Sequence, residues 1–163
     1  MKTIYGEILK YASTAQKELK LTEKQNHKIT DIKIANRKMV EAVKDVKELN
    51  KNLNIALTSD NKYLLKEYNN FRKKVIKVIR IIYLFRTQEN TKKYAHKLTQ
   101  LKKEAKENKK LSNKSLDKLI RDNLITVEMA SSLFNDYANV NDIIKKLIEV
   151  AELLYDEKDS LFE

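Results

Sequence analysis

In 163 residues the sequence has no cysteine, no proline, no tryptophan and a single glycine, Gly6. Without cysteine there is no disulfide, no thiolate nucleophile and no cysteine-bound zinc, which fits a reducing compartment. Hairpins, tight turns and phosphate-cradling loops lean on glycine and proline, so a chain this poor in both is predicted to be helical throughout. Arginine is scarce as well: Arg37, Arg72, Arg80, Arg86 and Arg121 stand among 34 basic residues, and the rest are lysine. Readers of nucleic acid usually spend arginine on bases and phosphates, because its fork meets two acceptors at once. Long apolar runs are missing too. The most apolar stretch, VIKVIRIIYLF at 75–85, holds Lys77 and Arg80 and falls short of the roughly 20 apolar residues a membrane-spanning helix needs. The opening MKTIYGEILKYAS carries Glu7 and Lys10 inside its apolar run, unlike the uninterrupted core of a signal peptide.

What is present is 42% hydrophobic and 35% charged residues, a mean hydropathy of -0.61 and a net charge of +11. That balance predicts amphipathic elements around one core rather than disorder or a membrane-embedded chain, and the length fits one domain. Apolar spacing divides the chain into helices. Ile4, Ile8, Leu9, Ala12, Ala15 and Leu19 predict a first helix over 3–19. Thr22 with Gln25 three residues on reads as a capping box opening a second helix over 22–57. Within it Ile32, Met39, Val46 and Leu53 repeat every seven residues, with Ile29, Val43 and Leu57 on the neighbouring row. These are expected to face the core, with Asn36 and Asn50 as polar interruptions that fix register or sit at the edge.

Ser59 or Asp60 is expected to cap a third helix whose stripe (Leu64, Tyr68, Phe71, Val75, Val78, Ile82, Phe85) continues through Tyr94, Leu98, Leu101 and Ala105. This predicts a helix over 60–108, with a kink near 87–90 as the variant. Ser112 and Asn113 are expected to cap a short helix over 112–122, and Thr126 to open a last one over 126–157. The expected fold is all-α: an antiparallel bundle of four to five helices in a single domain over 1–163. Apolar residues on more than one face of 75–85 point to deep burial or to a partner, including a second copy.

Little in the sequence supports catalysis. His27 and His96 are far apart with no HExxH pair, and the eight tyrosines and four phenylalanines lack the spacing of an RNA-binding sheet. Residues 92–118 are the most basic segment, with ten lysines against Glu104, Glu107 and Asp117; a solvated helix end accounts for it. The acidic pair in MVEAVKDVKELNKNL (39–53) is the sharper candidate. Glu41 and Asp45, four apart, share a helix face and could offer oxygens to one divalent or iron-type metal ion. The same pair could equally form an exposed charged face, with Lys38, Lys44 and Glu48 in reach. Asp136, in SSLFNDYANVND (131–142), falls on Asp45 when the two helices are laid over one another, and then Ser132 falls on Glu41.

The runs ANRKMVEAVKDVKELNKNL (35–53), SDNKYLLKEYNNFRKKVIKVIR (59–80) and ITVEMASSLFNDYANVNDIIKKLIEVAELLY (125–155) together resemble the cytoplasmic C-terminal region of bacterial sodium/phosphate cotransporters. That region is similar to PhoU, a helical regulator of phosphate uptake. The resemblance covers about residues 4–155 and rests on a general pattern. It implies a PhoU-like bundle and, in some members, metal clusters held by a Glu/Asp-x-x-x-Asp motif. Glu41 and Asp45 match that motif; the second copy keeps Asp136 and has Ser132 in place of an acid. It also implies an excised domain or free-standing relative that is not an enzyme. Such a domain would work at the inner face of the membrane, docking on a transmembrane transporter domain or other transport components. Anionic lipid is a further expected partner, since it attracts basic residues near the surface by about 1 kcal/mol each. The alternative expectation, drawn from the charge, is a basic helical nucleic-acid-binding protein.

Overall fold

The computed structural model describes residues 2–88 and 91–155. It is all-helical over these residues, with five helices: α1 (Lys2–Glu18), α2 (Glu23–Leu57), α3 (Lys62–Thr87), α4 (Thr91–Arg121) and α5 (Val127–Tyr155). Helix α5 is the axis of the bundle: α2, α3 and α4 all pack on it, α3 also packs on α4, and α1 lies on α2. Helices α2 and α3 both rest on α5 but touch each other least among these pairs. No described helix is long and apolar enough to cross a membrane.

The helix ends show how a chain almost without glycine turns. Thr22 and Gln25 form the expected capping box, each side chain bonding the other's backbone N–H. At α3 the cap is Asn61 rather than Ser59 or Asp60. Its Oδ1 accepts from the N–H groups of Tyr63 and Leu64 at 3.0 and 3.1 Å, while Nδ2 donates to the Leu124 carbonyl at 2.8 Å. One side chain thus closes a helix end and ties the α2–α3 turn to the α4–α5 turn. Helix α4 ends in a Schellman arrangement, with the Leu124 N–H on Leu119 O and the Asn123 N–H on Ile120 O. Asn123 takes the left-handed φ of 52° that this needs, a role usually given to glycine and tolerated by asparagine.

The expected helix over 60–108 is divided. Helix α3 stops at Thr87 and α4 starts at Thr91; Glu89 and Asn90 of the expected kink lie outside the described residues. The expected start of a short helix at Ser112 and Asn113 is also corrected, because α4 runs through both. Serine and asparagine cost only a few tenths of a kcal/mol in a helix interior. Leu98, Leu101, Ala105 and Leu116 keep the helical period across them and are buried. The last residues of the predicted 126–157 helix lie outside the described residues.

The core gathers Tyr68, Phe71, Val78 and Phe85 of α3, Leu98 and Leu101 of α4, and Leu133, Val140, Ile144 and Ile148 of α5. Phe71 stands edge-on to Tyr68 at 5.3 Å and to Tyr137 at 4.6 Å between ring centroids, a geometry that adds to area burial. The clearest departure from expectation is on α2. Its buried face is Ala35, Asn36, Ala42 and Ala56, while Ile32, Met39, Val43, Val46 and Leu57 of the expected core stripe are exposed. Leu53 alone of the seven-residue row packs partly buried against the core, as does Leu49. Alanine has no bulk to hold the helices apart, so α2 can lie close on α5 along the row three residues on from the bulky one. Asn36 is buried and donates to the Tyr5 carbonyl of α1 at 3.2 Å, whereas Asn50 is exposed.

Two substitutions separate core from rim. Phe71→Ala is expected to cost about 3–5 kcal/mol, and Ile76→Ser, on an exposed rim position, within about 0.5 kcal/mol of wild type. Urea unfolding followed by circular dichroism measures both.

Candidate functional site

The acidic residues singled out in the sequence lie along the α2–α5 contact. Glu41 accepts from Arg37 Nε, one turn back on α2, at 2.9 Å. That bond, with the charge of the same guanidinium, holds the Glu41 carboxyl below the ordinary glutamate range. Asp45 reaches across to α5, where Lys146 Nζ donates to it at 2.5 Å. The bond to Asp45 raises the Lys146 pKa. Asp136 is 2% exposed and its Oδ2 accepts from the Tyr68 hydroxyl at 2.5 Å and from Asn52 Nδ2 at 3.0 Å. Burial first, and the bond to the carboxylate second, push the Tyr68 hydroxyl well above the ordinary tyrosine value. Its proton stays on, and it serves as a donor. Tyr137 is raised for the same reasons beside Glu67, which it meets at 2.6 Å.

Glu41 and Asp45 do not share one cation; each takes a cationic side chain of the protein itself. Asp136 pairs with Asn52, seven residues beyond Asp45 on α2, which is roughly 10 Å along the helix. Among the described residues no group of three or more histidine, aspartate or glutamate side chains is placed to hold a metal ion. Lys38 bonds neither Glu41 nor Asp45. It reaches Glu149 of α5 at 2.5 Å, and Glu149 lies 3.7 Å from Lys102 of α4, so this carboxylate links three helices. Burial alone would raise Glu149, but the Lys38 bond and the two ammonium charges hold it below its ordinary value. Lys102 also meets Glu152 at 2.6 Å, which removes it from the solvated lysines of 92–118. His27 and His96 are both exposed, near Asp31 and Gln100 respectively.

Lys38, Asp45 and Asn52 thus recur every seven residues beside the alanine row and form a polar ladder to Glu149, Lys146 and Asp136. The spacing was visible in the sequence. Its meaning depends on knowing that the alanine row, and not the bulky row, faces α5.

The displaced bulky row makes the second feature. Between α2 and α3 lies an apolar groove of about 190 Å³, walled by Val46, Leu49 and Leu53 on one side and Arg72, Val75 and Ile76 on the other, with Ile143 of α5 in its lining. Beyond it α3 leaves Ile76, Ile79 and Tyr83 more than half exposed, at 61%, 52% and 64%. This is more apolar surface than scattered single residues account for. No protein-family model matches the chain, and no curated protein or solved structure matches it.

Tyr68→Phe removes a donor from a buried carboxylate and is expected to destabilise the fold by about 1–3 kcal/mol in urea unfolding. Acid dependence follows from Glu149. Its folded pKa is depressed below the ordinary 4.5, so its stabilisation is complete above that value and is lost as pH falls through the folded one. Stability of the wild type should drop on acidification below about pH 4.5, and Glu149→Gln should flatten that part of the profile while lowering the neutral plateau.

Proposed function

We propose that this chain acts by binding, as a non-catalytic regulatory or accessory helical domain, and that its surface is the α2–α3 face. The observation that carries the reading is the division of labour on α2. Its polar residues at 38, 45 and 52 are used in holding α5, while its bulky apolar row is left outward at the rim. An apolar face of this extent, rimmed by charge, is what a docking domain presents. The resemblance to the PhoU-like region of sodium/phosphate cotransporters supplies the biological setting: docking on a membrane transporter at the cytoplasmic face, with phosphate uptake biased according to phosphate status. A PhoU-like metal at Glu41, Asp45 and Asp136 has less support, because Arg37, Lys146, Tyr68 and Asn52 already occupy those oxygens.

Phosphate uptake compared in cells carrying and lacking the chain tests the setting. Deletion is expected to change the dependence of uptake on external phosphate; unchanged uptake and regulation would refute the transport role. Elemental analysis of protein purified without chelator is expected to find no stoichiometric divalent metal. Metal present in the wild type and lost in both Glu41→Ala and Asp45→Ala would reinstate a metal centre. Should binding to duplex DNA appear at low salt and fall steeply as salt rises, the alternative of a basic nucleic-acid-binding bundle takes precedence.

A further inference from the structure

We infer that the α2–α3 groove is a seat for one amphipathic helix of a partner protein, with an apolar face turned inward and acidic residues along its flanks. This rests on the reading of the chain as a docking domain and names the partner's chemistry.

The period of the walls argues for a helix. On α2 the row Met39, Val43, Val46, Asn50, Leu53 and Leu57 alternates steps of four and three, and its Val46 and Leu53 line the groove. On α3 the row Leu65, Asn69, Arg72, Ile76, Ile79 and Tyr83 does the same, and its Arg72 and Ile76 line the groove. Steps of three and four are the seam of a coiled coil, in which each helix offers holes to the side chains of the next. Two such seams lie side by side because α2 and α3 are antiparallel, rest on the same floor helix and stay apart in their middles. Two adjacent seams over a common floor are the template for a third helix. A flat lipid surface matches a concave apolar groove less well. The α3 row from Leu65 to Tyr83 covers 18 steps, about 27 Å at 1.5 Å per residue, which a partner segment of about three heptads would fill.

The charge argues for acidic flanks. Over residues 69–87 α3 carries no acid. Of its cations Arg72 lines the groove and Lys73 and Arg80 are exposed, while Lys74 and Lys77 line another pocket against α4 and α5 and Arg86 lies over the Tyr155 ring. On the opposite wall Lys44 and Lys47 stand exposed beside the row; Lys51 is paired with Glu48, and Asp45 is turned to Lys146. Cations at the edges of a helical seam select a partner with carboxylates at the matching edges and repel another cationic one. The same argument disfavours a second copy, since each copy carries +11 and would set cations against cations.

The test uses the purified chain and two fluorescently labelled peptides of about 21 residues, the length of three heptads. They share one isoleucine and leucine seam; one has glutamates at the flanks and the other lysines. Anisotropy is expected to show the glutamate-flanked peptide binding at least about tenfold more tightly than its lysine twin, the preference shrinking as salt rises. Val46→Ser and Ile76→Ser, both at exposed positions, should each weaken binding by about tenfold or more without loss of helicity by circular dichroism. Failure of the glutamate peptide to bind, equal binding of the two peptides, or indifference to both substitutions overturns the inference. Self-association in sedimentation that both substitutions abolish would assign the groove to a second copy. Sedimentation with phosphatidylserine vesicles that Ile76→Ser abolishes, with no peptide binding, would assign it to lipid. Any of these outcomes leaves the uptake experiment to decide the broader transport role on its own.

Discussion

The polar ladder between α2 and α5 is the constraint on which the rest of this structure depends. Two apolar rows on α2 compete for the core: the bulky row at 32, 39, 46 and 53, and the alanine row at 35, 42 and 56 with Leu49 between. By area alone the bulky row should win, since each large aliphatic side chain gains about 1.5–3 kcal/mol on full burial. The alanine row is buried instead. Burying it sets Lys38, Asp45 and Asn52 against Glu149, Lys146 and Asp136. The opposite choice would leave the buried Asp136 side chain without its Asn52 donor, and a buried polar group that loses a partner costs about 1–3 kcal/mol.

The ladder also fixes how far α2 lies along α5. Sliding α2 by seven residues in one direction brings Lys38 opposite Lys146, and in the other direction brings Asp45 opposite Glu149. Both slips set like charges together at half-buried positions, so the ladder selects one register as well as one face. The apolar rim and the groove follow from this. The residues that could have closed the core over α2 are displaced outward, and α3, packed on α5 and α4, leaves a groove against α2 between Val46, Leu49 and Leu53 on one side and Arg72, Val75 and Ile76 on the other.

Legibility in the sequence divides along the same line. The all-helical class, the Thr22–Gln25 cap and the α3 stripe through Leu64, Tyr68, Phe71, Val78 and Phe85 are set by local propensity and by one dominant period, and they could be read. Asn61 could not be separated from Ser59 and Asp60 as the cap, because all three side chains can accept from the following N–H groups and the choice is made by Leu124 across the bundle. The continuity of α4 through Ser112 and Asn113 is a tertiary decision too, carried by Leu116 reaching the core. The core face of α2 was misread because two rows share the same period. Only the charges on α5 decide between them, and no local pattern on α2 records those charges. Glu41 and Asp45 stand out in the sequence as an acidic pair; Arg37, one turn before Glu41 on α2, is a local partner that the sequence shows, whereas Lys146 lies on α5 and no pattern on α2 points to it.

The measurement that bears most directly on this account is a charge-exchange cycle at one rung: Asp45→Lys, Lys146→Asp and the double variant, each unfolded in urea at neutral pH. If the ladder selects the face and the register, each single reversal destabilises the fold, and the double variant recovers stability with a coupling of about 1 kcal/mol or more. Strictly additive losses, or single reversals that leave stability unchanged, would contradict it, and the alanine row would then need another reason to lie on α5.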